Sequence, residues 1–394
     1  MTKLGYKMTE IGEIPEEWNI KKISELEQNM YYGITAKATE QNTNLRMLRT
    51  TDIKNFKFNL DNLPFCEITE KRSDLSKYFL KRNDIIIARA GTVGVSILVQ
   101  ENLNNTLFGS YLIKIVFKQE TIDMKFIHYY FQSQLYWSNI SNAQGSTIKN
   151  INLPFLNSLE IPLPPLPEQQ KIAEILSTAD DEIQKVDEQI TLTEHLKKGL
   201  MQKLLTRGIG HTRFKMTEIG GIPEEWDVRE LKEFAKVEYG KSNPRTDGKI
   251  PLVGSSGVFG RVAKALIESP TIVIGRKGTA GAVWDIESPS WPSDTSFYLI
   301  YKNYGIVQKY LYSFMSLNKL SGDKAKTTLP SLQKTELEKF IVPLPPFPEQ
   351  QKIAEILSTV DNKLELLRRK KEKLDVLKKG LMNDLLTGKV RVKV

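Results

Sequence analysis

The chain has 394 residues, 40% of them hydrophobic, and 56 Lys and Arg against 47 Asp and Glu give a formal net charge of +9. That length allows two to three domains with sizeable cores, and the charge favours an anionic partner, nucleic acid first, without requiring one. A single cysteine, Cys66, excludes an internal disulfide, and with only three scattered histidines it leaves no zinc-ligand spacing. No apolar run approaches a membrane span, and the first residues lack a signal-peptide core, so a cytoplasmic location is expected.

In chain order, the dominant signal is repetition. KMTEIGEIPEEW at 7–18 returns as KMTEIGGIPEEW at 215–226, and PLPPLPEQQKIAEILST at 162–178 returns as PLPPFPEQQKIAEILST at 343–359. Each of the latter leads into a charged, Leu-rich stretch closing in KKGLM, from Lys197 and from Lys378. Met8 pairs with Met216 and Pro162 with Pro343, so the first middle is 27 residues longer than the second, while the helical stretches keep equal length. The expected segments are a first head over 1–160, a helical region over 161–206, a linker and second head over 207–341, and a second helical region with a tail over 342–394.

The first middle reads as mixed strand and helix. Residues 84–100 have β-branched runs broken by Gly91 and Gly94, a strand–turn–strand pattern. Residues 125–137 are an aromatic-rich helix candidate whose rings are expected to pack in a core. After Pro162 a long helix is expected, with Pro167 in its first turn. Steps of four and three give Ile172, Leu176, Ala179, Ile183, Val186, Ile190, Thr193, Lys197, Leu200 and Leu204, a coiled-coil seam with two polar positions. Residues 207–214 link the halves. In the second middle, residues 271–286 repeat the strand–turn–strand pattern, with Arg276 matching Arg89, Gly278 matching Gly91 and Gly281 matching Gly94. Residues 306–317 are again an aromatic helix candidate. The second long helix begins beside Pro348, and its seam is Ile353, Leu357, Val360, Leu364, Leu367, Lys371, Leu374, Lys378, Leu381 and Leu385. Gly208 and Gly388 are natural helix stops. Each helix would be a rod of roughly 60 Å. Packing the two rods against each other hides both seams, and heads at opposite ends would make the pair antiparallel. The tail GKVRVKV either closes against the chain start or is a solvated end.

No catalytic constellation emerges. NLPF at Asn62–Phe65 and Asn152–Phe155 resembles the Asn-Pro-Pro-Phe/Tyr tetrapeptide of amino-methyltransferases, but Leu replaces the first Pro and no Gly-rich cofactor turn lies nearby. GSSGVFG at 254–260 lacks the lysine of a P-loop and reads better as a turn presenting Ser255 and Ser256. What stands out is polar, basic and aromatic material in the turns. The first middle holds Tyr31, Tyr32, Thr35, Arg46, Arg49, Arg89, Thr92, Gln144 and Ser146. The second holds Tyr239, Lys241, Ser242, Arg245, Ser255, Ser256, Arg276, Lys277, Thr279, Lys324, Lys326 and Thr327. Such residues read bases and grip phosphates, and each alone could equally be an ordinary solvated loop residue. Arg89 and Arg276 are the strongest candidates because they recur beside the same Gly turn. Pairing a buried carboxylate is their structural alternative.

At the doubled TEIGxIPEEW, PLPPxPEQQKIAEILST and KKGLM segments, the chain closely resembles the DNA-specificity subunit of type I restriction–modification systems, over essentially its whole length. The resemblance implies an α+β chain: two mixed α/β target-recognition domains separated by two long helices forming an antiparallel coiled coil, with pseudo-twofold internal repetition. It implies a non-catalytic subunit without a cofactor of its own, in which each head reads half of a split site in double-stranded DNA; because the two heads differ in length by 27 residues, that site is expected to be asymmetric. It further implies that the helices set the spacer and dock two methyltransferase subunits, and that motor-nuclease subunits join them. S-adenosylmethionine would belong to the methyltransferases and ATP to the motor. Heads approaching one face of a duplex would place half-site centres about one turn apart, on the order of 34 Å.

Overall fold

A computed structural model of the chain describes residues 4–68, 74–143, 150–302, 305–318, 320 and 331–393. The contacts divide it into two compact units, one of residues 1–185 with 371–394 and one of residues 186–370. Each unit therefore joins a head to one portion of each long helix, where the segment boundaries expected from the repeat kept heads and helices apart.

In the first unit, a four-stranded antiparallel sheet runs in the order Ser96–Leu98, Ile85–Ala88, Leu112–Phe117, Glu27–Tyr32. The central strand Ile85–Ala88 is buried on both faces. Ile85 and Ile87 enter the core shared with the long helices, while Ile86 and Ala88 enter a second core beneath a five-stranded sheet. Alternation along one strand thus serves two layers. The second unit repeats this. Its sheet runs Ala235–Tyr239, Ser296–Tyr301, Thr271–Gly275, Val283–Ile286, with Ile272 and Ile274 facing one core and Val273 the other. The 27-residue difference between the middles accompanies a difference in the outer layer, which is five-stranded in the first head and three-stranded in the second. The first head's outer layer also covers a buried ion pair, Lys114 to Asp84 at 3.2 Å, with Lys114 Nζ donating to the Phe79 carbonyl as well.

The expected hairpins form over Ile85–Leu98 and Thr271–Ile286. The helix expected over 125–137 is instead two helices, Met124–Tyr130 and Gln134–Ala143. Ser133 separates them: its hydroxyl donates to the Tyr130 carbonyl at 2.7 Å and accepts from the Tyr136 amide at 3.2 Å. Phe126, Tyr130 and Tyr136 are wholly buried. In the second unit the aromatic helix runs Gln308–Leu317.

The repeated sequence segments meet at the start of each long helix. The first runs Leu166–Arg207 and the second Phe347–Leu385. Trp18 Nε1 donates to Glu168 at 3.0 Å, and Trp226 Nε1 donates to Glu349 at 2.9 Å. The next residue, Gln169, donates to the Thr121 and Pro164 carbonyls and accepts from the Asp123 amide. Gln350 likewise donates to the Pro345 carbonyl and accepts from the Val307 amide. Each Glu is a carboxylate in a helix first turn, where the dipole favours it. The tail closes on the first of these junctions: Arg391 donates to Glu168 at 2.6 and 2.9 Å and to Glu17 at 2.8 Å. In the second unit His211 Nε2 lies 3.0 Å from both Glu349 oxygens. Gly388 and Gly208 make these returns possible. Both have positive φ, and a Cβ would fall 2.4 Å from Pro15 or from Glu349.

Within each unit the two helical segments run in opposite directions. Lys378 donates to Asp180 at 2.7 Å while the more distal Arg391 reaches back to Glu168. In the other unit Lys197 meets Asp361 at 2.6 Å and Arg368 meets Glu194 at 2.6 Å. The polar seam positions Lys197 and Lys378 are thus one half of a repeated bridge. Its Asp also binds the head, through Tyr129 on Asp180 at 2.8 Å and Lys309 on Asp361 at 3.0 Å. Against the burial that would raise it, Lys197 and Lys309 hold the Asp361 carboxyl below its ordinary value.

Two outcomes follow. Glu168→Ala leaves the indole of Trp18 without its acceptor and the guanidinium of Arg391 with Glu17 alone, and should destabilise the first unit by about 2–4 kcal/mol in thermal or denaturant melting, with Glu168→Gln milder. His128 lies beside the Lys378–Asp180 bridge. Burial, with the Lys378 ammonium adding to it, lowers its pKa from 6.5 to about 4, and its Nδ1 has no partner among the described residues. The unfolded chain then binds a proton between pH 6.5 and 4 that the folded unit refuses, so this contribution to stability is full above pH 6.5 and falls away toward pH 4. The loss should reach roughly 3 kcal/mol, and the difference between wild type and His128→Gln across that window isolates it.

Candidate nucleic-acid interface

The two heads present the same turn. After Ile85–Ala88 the chain passes through Arg89, Gly91 and Gly94 before Ser96–Leu98. After Thr271–Gly275 it passes through Arg276, Gly278 and Gly281 before Val283–Ile286. Gly91 and Gly278 both have φ of 76°, and Gly94 and Gly281 have φ of 87° and 82°, values that a residue with a Cβ rarely adopts. The hydrogen bonds repeat as well. The Gly94 amide donates to Ala88 and the Gly281 amide to Gly275, each at 2.8 Å, while Arg89 and Arg276 donate their amides to Tyr111 and Thr295, each at 2.9 Å.

On this turn each arginine lies over a tyrosine from another strand of the same sheet. The Arg89 guanidinium carbon is 4.7 Å from the centre of the Tyr32 ring, and that of Arg276 is 5.2 Å from the Tyr239 ring. Tyr32 and Tyr239 are the last residues of Glu27–Tyr32 and Ala235–Tyr239. Stacking on a ring holds a guanidinium without consuming its donors. The Nε of each arginine is buried and has no hydrogen-bond partner among the described residues. No described carboxylate forms an ion pair with either one, the structural alternative raised by the sequence. The turn therefore holds a positive guanidinium against a ring, with its Nε donor unused among the described residues.

Around Arg276 the structure gathers other candidates. The Ser255 amide donates to Thr295 Oγ1 at 3.3 Å, and the Ser255 side chain packs on Gly275 and Gly278. Lys277 donates its amide to Thr295, and Thr279 closes the turn through its carbonyl. Ser255 and Ser256 form the two-residue connection between Ile250–Gly254 and Gly257–Val262. Lys241 bridges to Ser293, Ser242 is exposed, and Arg245 sits at φ of 54° in an exposed loop. In the first head, Thr92 is exposed on the Arg89 turn and Thr35 is exposed after Tyr32. Tyr31 is turned inward, near the ammonium groups of Lys77 and Lys114. Arg46 and Arg49 serve the head itself: Arg46 donates to the Leu60, Asp61 and Leu63 carbonyls, and Arg49 pairs with Asp52 at 2.8 Å. Gln144, Ser146, Lys324, Lys326 and Thr327 lie outside the described residues. Tyr111, 65% exposed beside Arg89, and Thr295 were not legible as candidates, because only the fold brings their strands to the turn.

Along the helices, the structure puts Ile172, Leu176, Val186, Leu204, Ile353, Leu357, Leu364, Leu367 and Leu385 in buried positions. Ala179, Ile183, Ile190, Leu200, Val360, Leu374 and Leu381 are partly buried. Among the described residues no cluster of His, Cys, Asp and Glu could hold a metal ion, and no helix is long and apolar enough to cross a membrane.

Comparison with known proteins agrees with this architecture. The family model for the type I restriction modification DNA specificity domain matches residues 9–194 and again residues 223–376. The chain is 30% identical to the type I restriction enzyme MjaVIII specificity subunit of Methanocaldococcus jannaschii, over 84% of this chain and 83% of that one. Its fold is like that of a type I restriction–modification S subunit from M. genitalium, with a TM-score of 0.62 at 20% identity, covering 98% of this chain and 99% of that one. A second structure, from work on complex assembly and conformational transition of the type I system, gives a TM-score of 0.60 at 14% identity, covering 96% and 99% of the respective chains. With the family model matched once by each half of the internal repeat, the chain belongs to the DNA-specificity subunits of type I restriction–modification systems.

Proposed function

We propose that each head of this sequence-specific DNA-recognition subunit reads one half of a bipartite, asymmetric site in double-stranded DNA, with Arg89 and Arg276 as the central contacts. The observation that carries this reading is the same arginine, stacked on a tyrosine over the same Gly turn, in two heads whose outer sheets differ. A shared turn suits a common task, docking on the duplex, and different surroundings suit different base sequences. Tyr32, Thr35 and Thr92 in the first head, and Tyr239, Lys241, Ser255, Ser256, Lys277 and Thr279 in the second, complete the proposed contact surfaces. Arginine donates bidentately to guanine O6 and N7, or singly to phosphate.

In this reading the chain has no catalytic activity or cofactor of its own. It works in the cytoplasm with two methyltransferase subunits and with motor-nuclease subunits. The helices keep exposed apolar residues suited to docking, Leu192, Leu196 and Leu366 in one unit and Val376 and Leu377 in the other. The buried and half-buried seam positions hold the helical pair together, and its length sets the unread spacer.

Two experiments on the complex reconstituted with its methyltransferase subunits test this. Arg89→Ala and Arg276→Ala should each weaken cognate binding by about 1–3 kcal/mol and relax a base in a different half-site. Phosphate contacts would instead weaken all sequences and lower the salt slope by about one. Inserting four residues after Glu188 lengthens the first helix by about 6 Å. Methylome sequencing of a host carrying that variant should show a longer spacer between unchanged half-sites, or no methylation. Altered half-site bases with the original spacer would defeat the ruler.

A further inference from the structure

Beside the Arg276 turn, the second head exposes an aromatic side chain that nothing in the preceding reading uses. The hairpin Ile250–Gly254 with Gly257–Val262 pairs Val253 with Val258 and Leu252 with Gly260. Phe259 is therefore an extra residue on one strand, a β-bulge. A bulge breaks the alternation of faces, and such bulges commonly re-aim a side chain at a functional site. Here Val258 and Phe259 are 56% and 57% exposed in succession. On a regular strand one of the two would face inward.

Phe259 is nonetheless held. Its ring lies against Gly254, where an added Cβ would sit 2.9 Å from Cε1. The next residue is Ser255, packed on Gly275 and Gly278 of the Arg276 turn, and the Trp284 indole donates to the Ser255 carbonyl at 3.3 Å. The strand Gly257–Val262 is the outer strand of its sheet, so among the described residues this edge has no neighbouring strand. The segment itself is basic: residues 239–282 carry seven Lys and Arg against two Asp and Glu, and residues 248–267 contain no acidic residue, although exposed Asp294 lies between Ser293 and Thr295, which bond to this hairpin and to the Arg276 turn. An apolar group set in a basic, polar surface next to a prearranged arginine matches DNA, which offers apolar base edges between anionic backbones.

We propose that Phe259, supported by Val258, makes an apolar contact to the bases of the half-site read by the second head, foremost to a thymine methyl group, and is one of that head's specificity-determining residues. This rests on the DNA-reading function proposed above. The first head has no copy of this bulged hairpin among its described residues, so the contact would be one source of the asymmetry of the site.

The test uses the full chain in complex with its methyltransferase subunits and the site found by methylome sequencing, with each thymine of the half-site replaced in turn by uracil, which lacks only the methyl group. Wild type should lose affinity on one such replacement. Phe259→Ala should bind the intact site about tenfold more weakly and be indifferent to that replacement, with Phe259→Leu keeping most of the affinity. The salt slope, binding to unrelated DNA and the melting temperature should not move. Four results would overturn the inference: cognate affinity and selectivity unchanged in Phe259→Ala, wild type indifferent to every thymine-to-uracil replacement, equal weakening on all sequences, or loss of co-purifying methyltransferase, which would make the patch a protein-docking face. A wild-type complex that does not prefer its own site to a scrambled one would refute the parent reading instead.

Discussion

A carboxylate in the first turn of each long helix, accepting a hydrogen bond from a buried tryptophan, is the interaction on which the rest of the molecule depends. Glu168 holds Trp18 and Glu349 holds Trp226, at 3.0 and 2.9 Å. A helix start carries unsatisfied N–H groups and a positive dipole end, so a carboxylate there is favourable before any tertiary contact forms. Once buried, that carboxylate requires partners, and they come from segments remote in sequence. In the first unit these are the opening segment and the tail, and in the second the linker and the repeated IPEEW segment. The adjacent glutamines fasten the same turn to the loops that precede Met124–Tyr130 and Gln308–Leu317. This explains why the chain repeats itself where it does: the copied residues build the junction of head and helix.

The second anchor is the Asp–Lys bridge further along each helix. Asp180 and Asp361 each take a lysine from the opposite helix and a polar group from a head. Leucines along a seam tolerate slips of a turn, whereas a partly buried ion pair does not, because a slip leaves charges unpaired in a low-dielectric setting. The arginine turn keeps its backbone in both heads, and the outer layer of each head supplies what differs.

The repeat, the mixed α/β heads, the two helices and the matching Arg–Gly turns were all legible in the sequence, because each rests on local periodicity or on residues that recur at fixed spacing. The antiparallel course of the helices was reachable from the need to hide both seams. Other features were decided only in three dimensions. Ser133 interrupts the aromatic helix because its hydroxyl replaces backbone partners, a competition that periodicity does not register. Arg46 and Arg49 have the same side chain as Arg89, and what separates them is the presence of carbonyls and a carboxylate within reach. Tyr111 reaches the Arg89 turn, and Thr295 the Arg276 turn, through strand pairing over long sequence separations. Whether the tail closes on the chain start depended on Arg391 finding Glu168. Sequence pattern determines which elements form and which faces they bury. The tertiary fold decides which polar groups spend their donors inside the protein and which do not, since hydrogen bonding is short-ranged and directional.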